Sequence, residues 1–387
     1  MVLDANQRSA LAIVRSLGKR KMQVIAADHM SGTLAGSSKF AAQSVRYADP
    51  AREPTRFIAD VRAAAHELGV EILIPATDLT SMLLVAATAE LAGIQVAAPP
   101  AASYEMLTDK GSLLELARRL GLPTPDTSVA RDANEIRRVA ADYGYPLVLK
   151  PARSRYHRDG QIVSTAVTIV RSAERLEHSL AALHWLNDIP CLVQRFVPGY
   201  GAGIFVLHAQ SGPIAWFSHR RIREKPPSGG VSVLSESVGI NLRMQEAASS
   251  LLSAARWSGV AMIEFRVADN GTPYLMEVNG RFWGSLQLAI DCGIDFPWLL
   301  LQLTSGNPVS APPNYPLGRR LRWLLGDLDN LLIQARSHDL GWRDKLGSAC
   351  RFMATFGDLS CRQEVFRWYD PAPGIHEARQ WTGNLLQ

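Results

Sequence analysis

Glu264 and Glu277 flank an Asn270-Gly271 pair, so a chain that folds back there sets two carboxylates face to face. Asn-Gly is the strongest short-range hairpin signal, because a two-residue type I′ turn needs φ > 0 at both central positions. With those two residues as the loop, Glu264 falls directly opposite Glu277, Arg266 and Leu275 share their face, and Asn279 lies one step along. Ile263, Phe265, Met276 and Val278 then point the other way into a core. Like charges directly opposite are destabilising, so this pair asks for a cation between them. Two carboxylates and the amide oxygen of Asn279 form a hard, all-oxygen set that suits Mg²⁺, with Mn²⁺ as the alternative. Arg281 is delivered to the same face by the period of two, and its guanidinium can fork onto two oxygens of a carboxylate or phosphoryl group. A plainer arrangement is also open, a solvated hairpin face on which each Glu pairs with Arg266 or Arg281. Pro273 leaves room for a longer loop, which would shift the register.

Three other segments carry candidate chemistry. Pro146-Leu-Val-Leu-Lys150-Pro151 is a buried strand ending in a lysine, followed by the polar loop 152–160. A lysine at a strand exit usually snorkels to solvent, whereas over a nucleotide its ammonium is a point charge on phosphates. Cys191 to Gly199 is a strand whose end, Gln194, Arg195, Phe196 and Val197, offers backbone groups to a flat base; an ordinary core strand explains it equally well. His219-Arg-Arg-Ile-Arg-Glu-Lys225 runs into Gly229-Gly230, a composition that binds anions through backbone N–H groups and through Arg221 and Arg223. A solvated turn is the alternative there.

The elements that must hold these residues alternate in the manner of an α/β layer over the first hundred positions. Residues 9–17 and 55–68 have helical spacing, and 24–27 and 72–75 are short buried strands. Only Val2-Leu3 precede the first helix, so strand one is abbreviated. After Pro99-Pro100 a new unit opens at Thr108-Asp109-Lys110, with a helix over 111–120 stopped by Gly121 and Pro123. From there to about residue 305 strands dominate, with helices near 133–143, 173–185 and 242–256. A Pro-rich link, 307–316, leads to a C-terminal region opened by a helix from residue 321. The expected units are an α/β lobe over 1–105, an α+β body of two subdomains over 106–308, and a mainly helical region over 317–387.

The 387 residues, 47% hydrophobic and 20% charged, are ample for two or three cores. No apolar run is long enough to span a membrane, and the start lacks a basic n-region before an apolar stretch, so a cytoplasmic protein without a membrane span is expected. Four cysteines without Cys-x-x-Cys spacing read as buried thiols rather than a zinc site. A formal charge of +5 and a pI near 9.1 raise nucleic acid as a partner. Basic residues after Pro316 are nevertheless scattered among acids, which favours a mildly basic surface and no nucleic-acid binding.

In order and spacing, Lys110, Lys150, Gln194 to Gly199, Glu264 and Glu277-Val-Asn-Gly-Arg281 resemble the ATP-grasp superfamily. The resemblance covers residues 1–305, a preATP-grasp lobe followed by the two ATP-grasp subdomains. The stretch from Leu275 to Ser285 looks most like the carboxylate–amine ligase and carbamoyl-phosphate-synthase-like branch. It implies that Lys110 and Lys150 contact phosphates and that Gln194, Arg195, Phe196 and Val197 meet the adenine of ATP. Glu264, Glu277 and Asn279 would hold Mg²⁺. Arg281, with Lys150, Arg221 and Arg223, would stabilise the transferring group. The implied reaction joins a carboxylate to an amine through an acyl phosphate, with a homodimer compatible with the sequence. Three departures stand out: Gly199-Tyr-Gly-Ala-Gly203 lacks the Glu that many members use for ribose, the loop after Lys150 is Arg-rich, and Ser285 replaces the base of biotin carboxylases. A nucleotide-holding regulatory protein without turnover is the rival, and a nucleic-acid-binding protein a more distant one.

Overall fold

A computed structural model describes residues 1–387 except Ser154, Asp159, Ser228, His338, Asp339, Leu386 and Gln387, and except the side chains of His157, Ser164 and Leu385. Ser154 and Asp159 of the Arg-rich loop, and Ser228 before the glycine pair, therefore lie outside the described residues.

The N-terminal layer is parallel and is knitted together by very little chain. Ile25–Asp28 pairs with Gln43–Arg46, and Ile72–Leu73 pairs with Gln95–Val96. Val2 bridges both Ala26 and Ile74, which joins the two pairs into one layer. Backbone bonds from Val2 N to Ile25 O (2.8 Å) and Leu3 N to Ile74 O (3.0 Å) carry the join. Val2 and Leu3 thus sit between the two strand pairs. Helices Pro54–Glu67 and Asp78–Ala86 bury Phe57, Val61 and Leu84 against Leu3 and Leu73. Arg8–Lys19 turns Ile13, Val14 and Leu17 toward a separate core shared with the rest of the chain.

Two sheets follow, antiparallel except for the parallel pairing of Arg320–Arg322 with Cys361–Gln363 at one edge. The smaller runs in the order Thr127–Ala130, Cys191–Arg195, Leu147–Pro151, Thr168–Val170. Helices Ala133–Tyr143 and Ala173–Ala182 cover it, each started by a side-chain cap, Asp132 to Glu135 N and Ser172 to Arg175 N. The larger sheet has seven strands in the order Pro273–Asn279, Gly259–Val267, Tyr200–Ala209, Gly212–Lys225, Val231–Ser237, Arg320–Arg322, Cys361–Gln363. Alternation along its strands feeds two cores. Phe205, Phe217 and Met262 face the N-terminal helix, while Ile204, Val206 and Ile263 face helix Leu242–Ala254 and Trp257.

The C-terminal region adds two strands to this sheet besides its helices Leu324–Arg336, Trp342–Ala354 and Ala372–Leu385. The helix expected from residue 321 begins three residues later. Leu321 and Arg322 are instead buried in a strand paired with Ser235 and Leu234, and Arg322 Nε donates to Asp327 at 2.7 Å. Beyond residue 361 the chain returns to the first helix. Arg15, almost wholly buried, donates to Asp370 Oδ2 (2.8 Å) and to the carbonyls of Glu364, Val365 and Asp370. Among the described residues no helix is long and apolar enough to cross a membrane.

Removing one partner of a buried ion pair strands the other charge. Asp370→Ala should therefore cost about 3–5 kcal/mol of stability, read as a lower midpoint in urea unfolding, whereas replacing the exposed Glu177 of the Arg137 pair should change the midpoint little.

Candidate active site

The two glutamates do face each other, but by a different route from the one the sequence predicts. The loop has three residues rather than two: Gly271 N bonds to Ala268 O (2.8 Å), Ala268 N bonds to Thr272 O (3.0 Å), and Gly271 takes φ +80°. This is a type I turn closed by a left-handed glycine, the usual three-residue hairpin. Near the loop Arg266 consequently pairs with Tyr274 and Phe265 with Leu275. A bulge at Met276 then absorbs one residue and restores Glu264 opposite Glu277, Ile263 opposite Val278 and Met262 opposite Asn279. Two expectations are corrected: Leu275 is the core residue, and Met276, on the bulge, is only half-buried.

The motif after Glu277 is held from both faces of the sheet. Phe282 and Trp283 are buried, and Trp283 lies against Phe205 and Phe296 with ring centroids 4.2 and 5.1 Å apart. Gly280 has no room for a side chain, since a Cβ there would come within 2.7 Å of Trp257 and 2.9 Å of Tyr104. Asn279 links its neighbours, its amide nitrogen donating to Glu277 Oε1 (3.3 Å) and its Oδ1 accepting from Arg281 Nη2 (3.2 Å). Its carbonyl oxygen is thus turned toward Arg281 rather than toward the glutamates.

Cations gather on the carboxylates as the like-charge argument requires. Arg221 Nη2 lies 3.0 Å from Glu264 Oε1. Lys150 and Lys110 are both buried and both feel the field of Glu277. Lys150 does not snorkel to solvent: burial pushes its ammonium down to about 8 against the pull of Glu277. Lys110 is likewise lowered, chiefly by burial. Glu264 is raised, first by burial and then by Glu277, with Arg221 opposing both. Arg281 keeps no free fork. Its Nε and Nη2 grip Asp78 Oδ1 and Oδ2 at 3.1 and 3.0 Å, and Nη1 donates to Phe282 O. Asp78 opens the helix capped by Thr77, and Tyr104 Oη donates to its carbonyl at 3.2 Å. Burial alone would raise the Asp78 carboxyl, yet Arg281, Arg155 and Lys110 hold it below its ordinary value. Sequence reasoning missed Asp78; the only signal was Thr77-Asp78 ahead of an apolar run, a helix start that says nothing of what it faces.

The basic segment does not form an anion-binding loop. It is the long strand Gly212–Lys225, and nearby acids claim its cations: Arg220 takes Glu236, Arg223 takes Asp327 with two 2.6 Å bonds, and Lys225 takes Asp329. Register shifts around Arg221, Arg223 and Glu224 place the two arginines apart, so Arg221 alone reaches the glutamates and Arg223 is committed to the C-terminal helix. His219 is buried and neutral, pushed down to about 3 by burial, with Nε2 2.9 Å from Ser285 Oγ. Arg266 pairs with neither glutamate. Its Nε donates to Val197 O at 3.2 Å and its guanidinium lies over Phe196, which ties the segment after Cys191–Arg195 to the hairpin. Gln194 is buried and leaves Oε1 without a partner, while the guanidinium of Arg195 turns outward to Tyr143 and Asp126. A cleft of about 810 Å³ opens between the N-terminal lobe, the hairpin of Arg155–Arg158 and Gln161–Ser164, and the motif strand; Asp78, Lys110, Arg155 and Glu277 all line it.

Two antiparallel sheets that enclose a cleft, with a lysine on one and opposed glutamates on the other, define the ATP-grasp fold. This chain shares that fold and is similar to ATP-grasp proteins in sequence and in structure. A family model described as an ATP-grasp in the biosynthetic pathway with Ter operon matches residues 189–326. The N5-carboxyaminoimidazole ribonucleotide synthase of Synechococcus elongatus is 32% identical over 129 residues, 33% of this chain and 30% of that one. The carbamoyl phosphate synthase large chain of Mycobacterium sp. (strain JLS) is 30% identical over 109 residues, 28% of this chain and 9% of that one. The matched stretch is thus less than a third of either relative's length. Among solved structures, a biotin carboxylase complex from Campylobacter jejuni superposes with a TM-score of 0.65 at 18% identity, over 82% of this chain and 74% of that one. An L-amino acid ligase from Bacillus licheniformis gives 0.61 at 18%, over 80% and 74%.

Gly280→Ala should force Tyr104 or Trp257 aside and cost about 1–3 kcal/mol in chemical unfolding. For Lys150, a folded value near 8 below the ordinary lysine 10.5 means that the folded chain binds fewer protons than the unfolded one between those values. Stability should accordingly gain as pH rises through that window, and Lys150→Met should abolish the gain. If Lys150 serves phosphates, ADP affinity should fall about tenfold per pH unit above 8 in calorimetry and lose that dependence in Lys150→Met.

Proposed function

We propose that this protein is an ATP- and Mg²⁺-dependent ligase that joins a carboxylate to an amine through an acyl phosphate and releases ADP and phosphate. The observation that carries the reading is the opposed pair Glu264–Glu277 enclosed by Lys150, Lys110 and Arg221. A carboxylate is a poor electrophile until one oxygen becomes part of a phosphate leaving group, and the charge gathered during phosphoryl transfer must be neutralised by fixed cations. The ATP-grasp fold and the ligases among the similar proteins point the same way.

In this reading each residue has a task set by its surroundings. Lys150 and Lys110 take nucleotide phosphates, and the buried Gln194 Oε1, which has no partner, accepts from the exocyclic amine of adenine while the backbone of Phe196 and Val197 meets the ring. Glu264 and Glu277 are hard oxygen donors that fit a divalent cation. Among the described residues no group of three His, Cys, Asp or Glu side chains converges, so the rest of the shell belongs to water, phosphates and Asn279 if its amide turns. The ion, when bound, neutralises phosphate charge. Arg221 favours the ionised form of Glu264 against burial and Glu277, and Arg281, anchored by Asp78, supplies positive charge beside the transferring group. Residues 1–105 then contribute Asp78 and one wall of the cleft, 106–308 the nucleotide grip, and 317–387 a brace. The proposed setting is the cytoplasm, with small-molecule partners and a homodimer as the assembly to examine.

Glu277→Gln preserves shape and removes charge, so it should lower metal-dependent ADP release by about 10²-fold or more with the unfolding midpoint kept; unchanged turnover would remove the assignment. Hydroxylamine added with ATP, metal and a competent carboxylate should be trapped as a hydroxamate. Cleavage to AMP and pyrophosphate would replace the acyl phosphate with an adenylate. Tight nucleotide binding without ADP release on any carboxylate would favour the regulatory alternative.

A further inference from the structure

Arg221 is held by two acids, one on each arm of its guanidinium. Nη2 lies 3.0 Å from Glu264 Oε1, and Nη1 donates to Glu224 Oε1 at 3.1 Å. Glu224 is three residues further along the same strand, and in regular β structure residues at that spacing point to opposite faces. The contact exists because the strand is irregular there. Arg221 pairs with Ser235 and Arg223 with Leu234, so Ile222 is an extra residue; Glu224 then pairs with Ser232, which passes over Val233 on the neighbouring strand. A bulge of this kind re-aims side chains, and here it brings Arg221 and Glu224 together while Arg223 turns to the C-terminal region.

Helix Leu324–Arg336 fixes that irregular stretch residue by residue. Asp327 accepts from Nε and Nη2 of Arg223 at 2.6 Å each, Asn330 Nδ2 donates to the backbone carbonyl of Glu224, and Asp329 meets Lys225. Asp327 and Asn330 lie about one turn apart, and both are almost wholly buried. The backbone that carries Glu224 is therefore anchored, and its carboxylate is presented at a set place beside Arg221. The pair adds little to the fold, because 20% of the Arg221 side chain and 27% of the Glu224 side chain are open to solvent, and ion pairs of that exposure are weak. Its effect is on direction. A guanidinium with both arms free forks onto the two oxygens of one carboxylate. With Nη1 engaged by Glu224, Arg221 meets Glu264 through Nη2. We infer that Glu224 is a positioning residue: by holding one arm of Arg221 it keeps the guanidinium from closing on both oxygens of Glu264, so that Glu264 stays available to a divalent cation. This inference rests on the ligase reading, in which Glu264 and Glu277 receive the metal, and it gives the C-terminal helix a part in that reading through Asn330.

The test is calorimetric binding of Mn²⁺ to the full chain in the presence of ADP. Glu224→Ala frees the arm and should weaken Mn²⁺ about tenfold, the lower end of what a hydrogen bond to a charged group is worth, with the urea midpoint nearly unchanged. Glu224→Gln keeps an acceptor for Nη1 and should retain most of the affinity. An equal loss in the two variants would mean that the charge of Glu224 acts on the ion directly, which would overturn the inference. In Arg221→Met there is no guanidinium to position, so adding Glu224→Ala should change nothing further; a loss of the same size in both backgrounds would again overturn it. Glu277→Gln separates the two levels of the claim. If it weakens Mn²⁺ and Glu224→Ala does not, the inference fails and the ligase reading stands. If Glu277→Gln leaves Mn²⁺ binding untouched, the metal assignment of that reading fails and takes the inference with it.

Discussion

The repulsion between Glu264 and Glu277 is the constraint around which the rest of the molecule is arranged. Two carboxylates opposite each other on adjacent strands are unfavourable unless opposite charge is near, and the desolvation of this cleft sharpens the demand. The larger sheet answers from within with Arg221, the smaller sheet brings Lys150 across the cleft, and the helix after Asp109 adds Lys110. Each contribution comes from a different element, so the pair can be neutralised only when the two sheets and the helix are in place. Electrostatics at the site and closure of the fold are one requirement.

This arrangement also explains why the lysines are buried at the expense of stability. Lys150 is held where its charge is disfavoured, and such groups persist where function needs them. A lysine that gives up its proton near pH 8 gains strongly from an incoming polyanion, because the ligand supplies the counter-charge that Glu277 provides only in part. Arg281 is the contrary case. Its fork is satisfied by Asp78 before any ligand arrives, so it is rigid and well aimed.

Much of this was legible in the chain, for identifiable reasons. The Asn270-Gly271 signal located the hairpin, and the glutamate register held because two irregularities cancelled, an added loop residue and a bulge at Met276. Local pattern cannot announce a bulge, so the faces of Leu275 and Met276 were exchanged. Helix Ala133–Tyr143 falls where its residues' spacing put it. The pairing of Arg223 with Asp327 was illegible because the two are far apart in sequence and meet through the sheet's added strands. Leu321 and Arg322 looked helical because they run straight into the apolar stretch from Trp323, and only tertiary pairing with Ser235 and Leu234 makes them extended. Asp78 was hidden for the same reason, since nothing near Thr77 tells which arginine the helix start will meet.

The ion pair between Arg15 and Asp370 bears on how the chain is made. During synthesis the first helix leaves the ribosome long before the segment that completes its charge. Until residue 370 is delivered, the N-terminal layer can bury Arg15 only as an uncompensated cation, so its closure waits for that residue to emerge. Contacts of such sequence separation slow folding. A nascent chain arrested before residue 361 should leave exposed the part of helix Arg8–Lys19 that residues 364–370 cover.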